Sequence, residues 1–153
     1  MIHFNTLIKM KKIFLFVLLS GILYSCSIEP KPIQYGSDAC SFCKMTIVQQ
    51  IHGAEIVTNK GKVYKFDAVE CMINFKNEMS KEQPKLFLTN HYHTPKELIS
   101  AEEAAFLISE NLPSPMGEYI TAFKSKSAAN EIQKELNGKV YSWSELLQQQ
   151  STK

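Results

Sequence analysis

Residues 62–72 read KVYKFDAVECM, and residues 119–129 read YITAFKSKSAA. A shift of 57 lays one on the other. In each, an alternating strand runs to a phenylalanine, Phe66 or Phe123, and a helical pattern follows. Working outward, Met45 to Val48 and Ala54 to Thr58 are β-rich runs joined across His52-Gly53, and Asn59-Lys60-Gly61 is a turn into the strand Lys62 to Phe66. Asp67 is placed to cap a helix that buries Val69, Met72, Ile73 and Phe75. Lys85 to Leu88 is the next strand, and Thr94-Pro95 opens a new segment. Ala104 to Ile108 and Glu118 to Phe123 form a second strand pair, split by the turn 113–117. Ser125 caps a helix with Ala128, Ala129, Ile132 and Leu136 on one face, and Asn137-Gly138 stops it. Val140 to Trp143 is a short strand, and a short helix ends the chain.

The order β-β-α-β thus occurs twice, which predicts an α+β fold. Identity between the two stretches is low, so the repeat rests on pattern and spacing, and two unrelated α+β stretches are the alternative. As a repeat, each half presents one apolar sheet face. The halves then pack on each other to build a core that a unit of some 55 residues would struggle to build alone.

Length and charge narrow the function. The 153 residues suffice for one domain or two small halves, with an ordinary 44% apolar and 21% charged residues. The formal charge of +2 is carried by a basic N-terminal cluster. From residue 26 onward, 14 lysines face 15 acidic residues, and the chain has no arginine. A nucleic-acid binder needs a basic face and normally arginine, so that class is excluded.

Lys9, Lys11 and Lys12 precede a 12-residue apolar run, Ile13 to Tyr24. That is too short to span a bilayer, which takes about 20 residues, and has the form of a signal-peptide core. It ends in Leu23-Tyr24-Ser25-Cys26, which resembles the lipobox of bacterial lipoproteins, with Cys26 as the acylated thiol. The expected organisation is a signal peptide at 1–25, a Pro- and Gly-containing tether at 26–37, a first half with the metal site at 38–95 and a second half at 96–153. The protein is expected outside the cytoplasm, lipid-anchored to a bacterial membrane on its periplasmic side.

With Cys26 assigned to lipid, Cys40, Cys43 and Cys71 remain, an odd number that no disulfide framework uses up. The Cys40-x-x-Cys43 pair lacks the second pair of ligands that a structural zinc site needs. It also precedes a β-run, where a redox pair would open a helix. Cys43 and Met45 are two apart and share a face if the chain is extended. A thiolate beside a thioether is a soft pair, suited to Cu(I). His52, in the turn between strands, is placed to add an imidazole. A core Met45, a turn His52 and a buried Cys43 are the bland alternatives.

The runs DACSFCKMTI (38–47), HGAEIVTNKGKVYKFDAVECM (52–72), PSPMG (113–117) and NGKVYSWSEL (137–146) resemble the NosL family, copper-binding lipoproteins that accompany nitrous oxide reductase maturation. The resemblance implies paired ββαβ halves similar to part of organomercurial lyase, and delivery of Cu(I) to the reductase or its maturation transporter. Cys43 and Met45 fall on the family's C-x-M, His52 on its downstream histidine, Phe66-Asp67 on its F-D and Pro115-Met116-Gly117 on its P-M-G. Lys44 stands where the family often has glycine.

The resulting expectation is a Cu(I) chaperone, not an enzyme, with Cys43, Met45 and His52 as ligands and Cys40 as a supporting or alternative thiol. Cys71 and Met116 are candidate further ligands, each with a core alternative. His91 and His93 are a candidate divalent pair or an exposed turn. The rival class is an enzyme, either a C-x-x-C thiol oxidoreductase or an organomercurial-lyase-like catalyst.

Overall fold

The computed structural model describes residues 27–151, so the segment 1–25 expected as a signal peptide and Cys26, the expected lipidation site, lie outside the described residues. The elements run β1 (Ala54–Thr58), β2 (Val63–Phe66), α1 (Val69–Glu78), β3 (Pro84–His91), β4 (Thr94–Ser100), β5 (Ala105–Ile108), β6 (Ile120–Phe123), α2 (Lys126–Leu136), β7 (Lys139–Ser142) and α3 (Trp143–Ser151). Two antiparallel sheets form, ordered β2-β1-β3-β4 and β6-β5-β7. This is the α+β architecture expected. Ala54 pairs with Phe66 and Thr89, and Ala105 pairs with Phe123 and Ser142. In each sheet the first strand of the unit is therefore central and carries the other two in the same arrangement.

The main core draws on both sheets. Phe66, Met72 and Ile73 pack in one cluster with Phe106, Ile120, Trp143 and Leu146. Trp143 stitches the sheets together, its ring 5.6 Å from Phe87 on β3 and 5.6 Å from Phe106 on β5. The backbone N–H of Tyr92, at the β3–β4 tip, donates to Ala122 O on β6. A smaller cluster of Ala105, Leu107, Phe123 and Ala129 lies under α2.

Four local expectations are corrected. Met45 to Val48 is not a strand: the chain there makes a single bridge, Ala39 to Thr46, because Lys44 turns it at φ +67°. Asp67 does not cap α1. Ala68 holds that position without a side-chain bond, and Asp67 Oδ1 instead accepts from Val48 N. The strand begun at Lys85 runs to His91 and turns into β4, whose Thr94-Pro95-Lys96-Glu97 start is polar and exposed and so lacks a strand's alternation. Trp143 opens α3 and does not end β7. Ser125 caps α2 as read, accepting from Ala128 N. The segment expected as a tether is held from Lys31 on: Lys31 N donates to Glu55 Oε2, Ile33 is buried, and Tyr35 Oη donates to Asn90 Oδ1. Among the described residues no helix is long and apolar enough to cross a membrane.

Candidate metal centre

The stretch 38–47 folds into a knuckle. Ile47 N donates to Asp38 O, Cys40 N to Met45 O and Lys44 N to Cys40 O. Closing so tight a loop requires the left-handed backbone at Lys44, a conformation that favours glycine. Ser41 N donates to Lys65 O, which joins the knuckle to β2. Lys65 Nζ lies 2.6 Å from Asp38 Oδ2 and donates to Pro32 O, so one side chain fastens both ends of the preceding arm.

The knuckle brings Cys40 and Cys43 against Cys71, the third residue of α1. The three sulfurs lie within 4.8 Å of one another. All three thiols are free; Cys40 and Cys71 are buried and Cys43 is half-buried. The sulfurs do not share one proton affinity. The Cys71 thiol donates to Cys40, and the backbone N–H groups of Asp67, Cys43 and Phe42 add to it, so the Cys40 thiol is pushed down to about 5 against the opposing effect of burial. Cys71 is pushed up, first by its bond to Cys40 and then by burial. Burial also raises Cys43, and the Cys40 thiolate adds to the rise, although Met45 N–H works against it.

Three sulfurs around an ion at about 2.3 Å, the length of a zinc–thiolate bond, would stand about 4 Å apart. The observed cluster needs only a small contraction to reach that spacing. Among the described residues no further His, Asp or Glu donor joins the group. Three soft sulfur donors suit a d¹⁰ ion content with low coordination better than tetrahedral zinc.

The other candidates stand as follows. Met45 is exposed, at 47% of its surface, just after the Lys44 turn, and the continuous extended chain that would align it with Cys43 is absent. His52 is buried outside the thiol group. Gln49 Oε1 lies 2.7 Å from Nδ1 and Thr121 Oγ1 lies 3.1 Å from Nε2. With Nδ1–H donating to Gln49, Nε2 accepts from the Thr121 hydroxyl, and burial pushes the imidazole down to about 4, so the ring is neutral. Gly53 fixes this turn: a Cβ there would stand 2.5 Å from Asn90 Oδ1. Met116 is part-exposed. Its loop is tied down beside Cys71, because the Ser114 hydroxyl donates to Glu70 Oε1 in the first turn of α1, and Tyr119 N donates to Ser114 Oγ. His91 is buried with Nε2 3.3 Å from Glu97 Oε2, while His93 is exposed and packs edge-on against Tyr92 and Phe123; the two do not share a site.

Sequence reasoning ranked Cys71 behind Met45 and His52. Its partnership with Cys40 depends on α1 packing over the knuckle, which spacing along the chain does not encode. The odd thiol count was the available signal.

The sequence model of the NosL family matches residues 32–151. The crystal structure of the copper chaperone NosL from Shewanella denitrificans is similar at 23% identity, with 78% of this chain and 96% of that chain covered and a TM-score of 0.66. A comparison with curated proteins gives no match.

Proposed function

The chain belongs to the NosL family, and on that premise we propose that it carries Cu(I) outside the cytoplasm, anchored to the membrane through a lipid on Cys26, and delivers it to a cuproenzyme, nitrous oxide reductase or its maturation transporter. The observation that carries the copper reading is the convergence of Cys40, Cys43 and Cys71 from two elements into one soft donor group. The similar solved protein is a copper chaperone. A carrier needs a site that is tight and yet open to exchange, and three-coordinate Cu(I) leaves room for an incoming ligand. Met45 and His52 complete the donor set that the family resemblance implies. Met45 lies along the chain from Cys43, and His52 enters only by exchanging its Thr121 bond for a metal bond.

The test is a competition against a Cu(I) chelator with the reduced, anaerobic full chain. One Cu(I) per chain, held in preference to Zn(II), supports the reading; equal zinc affinity sinks it. Turnover of a disulfide or an organomercurial by the copper-free protein would favour the enzyme class. Metabolic labelling with a palmitate analogue checks the anchor: label that survives in Cys26→Ser overturns it. For delivery, the expected result is a copper-poor reductase in cells lacking this protein, and a fully loaded one would remove the client.

A further inference from the structure

We infer that Cys43 is the port of the thiol cluster, the ligand through which Cu(I) enters and leaves, while Cys40 and Cys71 retain it. The inference rests on the copper reading above and deepens it. The three sulfurs sit within 4.8 Å of one another but differ in access. Cys40 is 1% exposed and Cys71 is fully buried, whereas Cys43 is half-buried. The Cys40 sulfur is enclosed by the N–H groups of Phe42, Cys43 and Asp67 and by the Cys71 thiol. Cys71 lies on a helix whose first turn is pinned by the Ser114–Glu70 bond. Cys43 ends the C-x-x-C, next to the Lys44 turn, with Met45 exposed beyond it. An ion arriving with a donor ligand still attached therefore meets Cys43 first. The buried Cys40 and Cys71 close on it afterwards.

Release reverses the order by ligand exchange. A soft donor of the acceptor binds the ion, and the bond between copper and Cys43 Sγ breaks. If that donor is a thiol, its proton passes to the Cys43 thiolate. Copper remains Cu(I) throughout, so no oxidant or reductant takes part. Attack at Cys43 needs no movement of α1. Attack at Cys71 would have to open the core.

Two measurements on the full chain test the port. In the first, the copper-free, reduced protein is treated with substoichiometric N-ethylmaleimide at pH 7, and the labelled thiols among Cys40, Cys43 and Cys71 are located by peptide mass. If access governs, Cys43 is labelled first, ahead of the buried Cys40 and Cys71. If Cys40 or Cys71 is labelled first, the port is wrong. The second is stopped-flow uptake of Cu(I) from its bicinchoninate complex. Cys43→Ser should slow uptake by about tenfold or more, and Cys71→Ser should change the initial rate by less than about twofold while weakening the final complex. An unchanged rate in Cys43→Ser, with normal uptake by the unmodified chain, overturns the port and leaves the copper reading intact. No uptake by the unmodified chain overturns the copper reading beneath it. The labelling experiment uses no variant, so it stands even if a substitution prevents folding.

Discussion

The two ββα units of this chain share strand order and differ at the start of their helices. In the second, Ser125 closes the first turn of α2 with its side chain. In the first, Ala68 stands at the equivalent place and closes nothing, while the buried Asp67 side chain accepts from Val48 N. Three residues on, the second unit has Ala128 and the first has Cys71. Pairing carries the comparison into the strands: where β5 buries Phe106, β1 buries Glu55. The first unit has given up a local cap and an apolar side chain to fasten the arm and knuckle of residues 31–48. The second keeps the ordinary solutions and lends supports: Thr121 to His52, Ser114 to Glu70 and Trp143 to Phe87. The thiols are concentrated in one unit, and stiffness comes from the other.

The largest test of that division concerns the thiols. Cys40→Ala and Cys71→Ala should each lower Cu(I) affinity by roughly a hundredfold or more, since each removes one of three sulfur ligands. Ala128→Cys, at the matching place in the second unit, should add no binding. Met45→Leu should lower affinity less than Cys40→Ala in the same chelator competition. The reverse order would show that the Cys43, Met45 and His52 set, and not the thiol cluster, holds the ion.

Glu55 offers the next largest effect. It is fully buried, one carboxyl oxygen accepts from Lys31 N and the other has no partner, and burial pushes it up to about 7. The folded state thus binds its proton more tightly than the unfolded chain does, where the value is 4.5. Stability is therefore lost as pH rises from about 4.5 through about 7 and is flat above that. Allowing for the nearby Lys65, the loss is about 1–3 kcal/mol. Denaturant melts of Glu55→Gln between pH 4.5 and 8 should lack this slope. Phe106, at the paired position, has nothing to titrate. A slope that survives in the variant would assign it to another group.

Capping separates the units more gently. Ser125→Ala should destabilise the protein by about 1 kcal/mol and leave copper affinity unchanged. Asp67→Ala should do the opposite, freeing Val48 and weakening Cu(I) binding without a measurable helix penalty, because α1 has no side-chain cap to lose. Thermal melts and the same chelator competition, run on both variants, decide it. Copper affinity that falls equally in the two would mean that the knuckle is not held through Asp67.

The parts of this design legible in the sequence are those set by local chemistry. Ser125, Asn137 and Gly138 bracket α2 because caps act over a few residues, and the shift of 57 found β2, β6 and both helices because alternation and helical period are local. The Cys40–Cys43 pair was legible as a soft-metal signal for the same reason. Contacts across the fold were not legible. Thr94-Pro95-Lys96-Glu97 looks like a loop because β4 leaves that end exposed, and only pairing with β3 makes it a strand. Asp67 has a cap's identity and place, but a loop 19 residues upstream in sequence outcompetes the helix for it. His52 reads as a ligand in a turn, and nothing in the sequence shows that Thr121, 69 residues away, lies 3.1 Å from its Nε2.

The smallest expected effect lies at Lys44, where the knuckle demands what a lysine supplies with strain. At φ +67° a side chain is disfavoured by about 1–2 kcal/mol relative to glycine. Glycine in turn loses about 0.5–1 kcal/mol more chain entropy on folding. Lys44→Gly should therefore stabilise the protein slightly, by about 0.5 kcal/mol. The bond from Lys44 Nζ to Ser41 O is exposed and contributes little against this. Lys44→Ala is the control: it keeps the strain and removes only the amine, so it should melt at or below the unmodified chain. Copper affinity should hold in both variants, because the turn is made by backbone bonds from Lys44 N and Cys40 N that neither substitution touches. If Lys44→Gly and Lys44→Ala melt together, the turn is unstrained and the lysine's place is set by its charge. In that case both variants should shift copper affinity by the same amount, and the ammonium, which donates to Ser41 O in the knuckle, becomes part of the site's electrostatics.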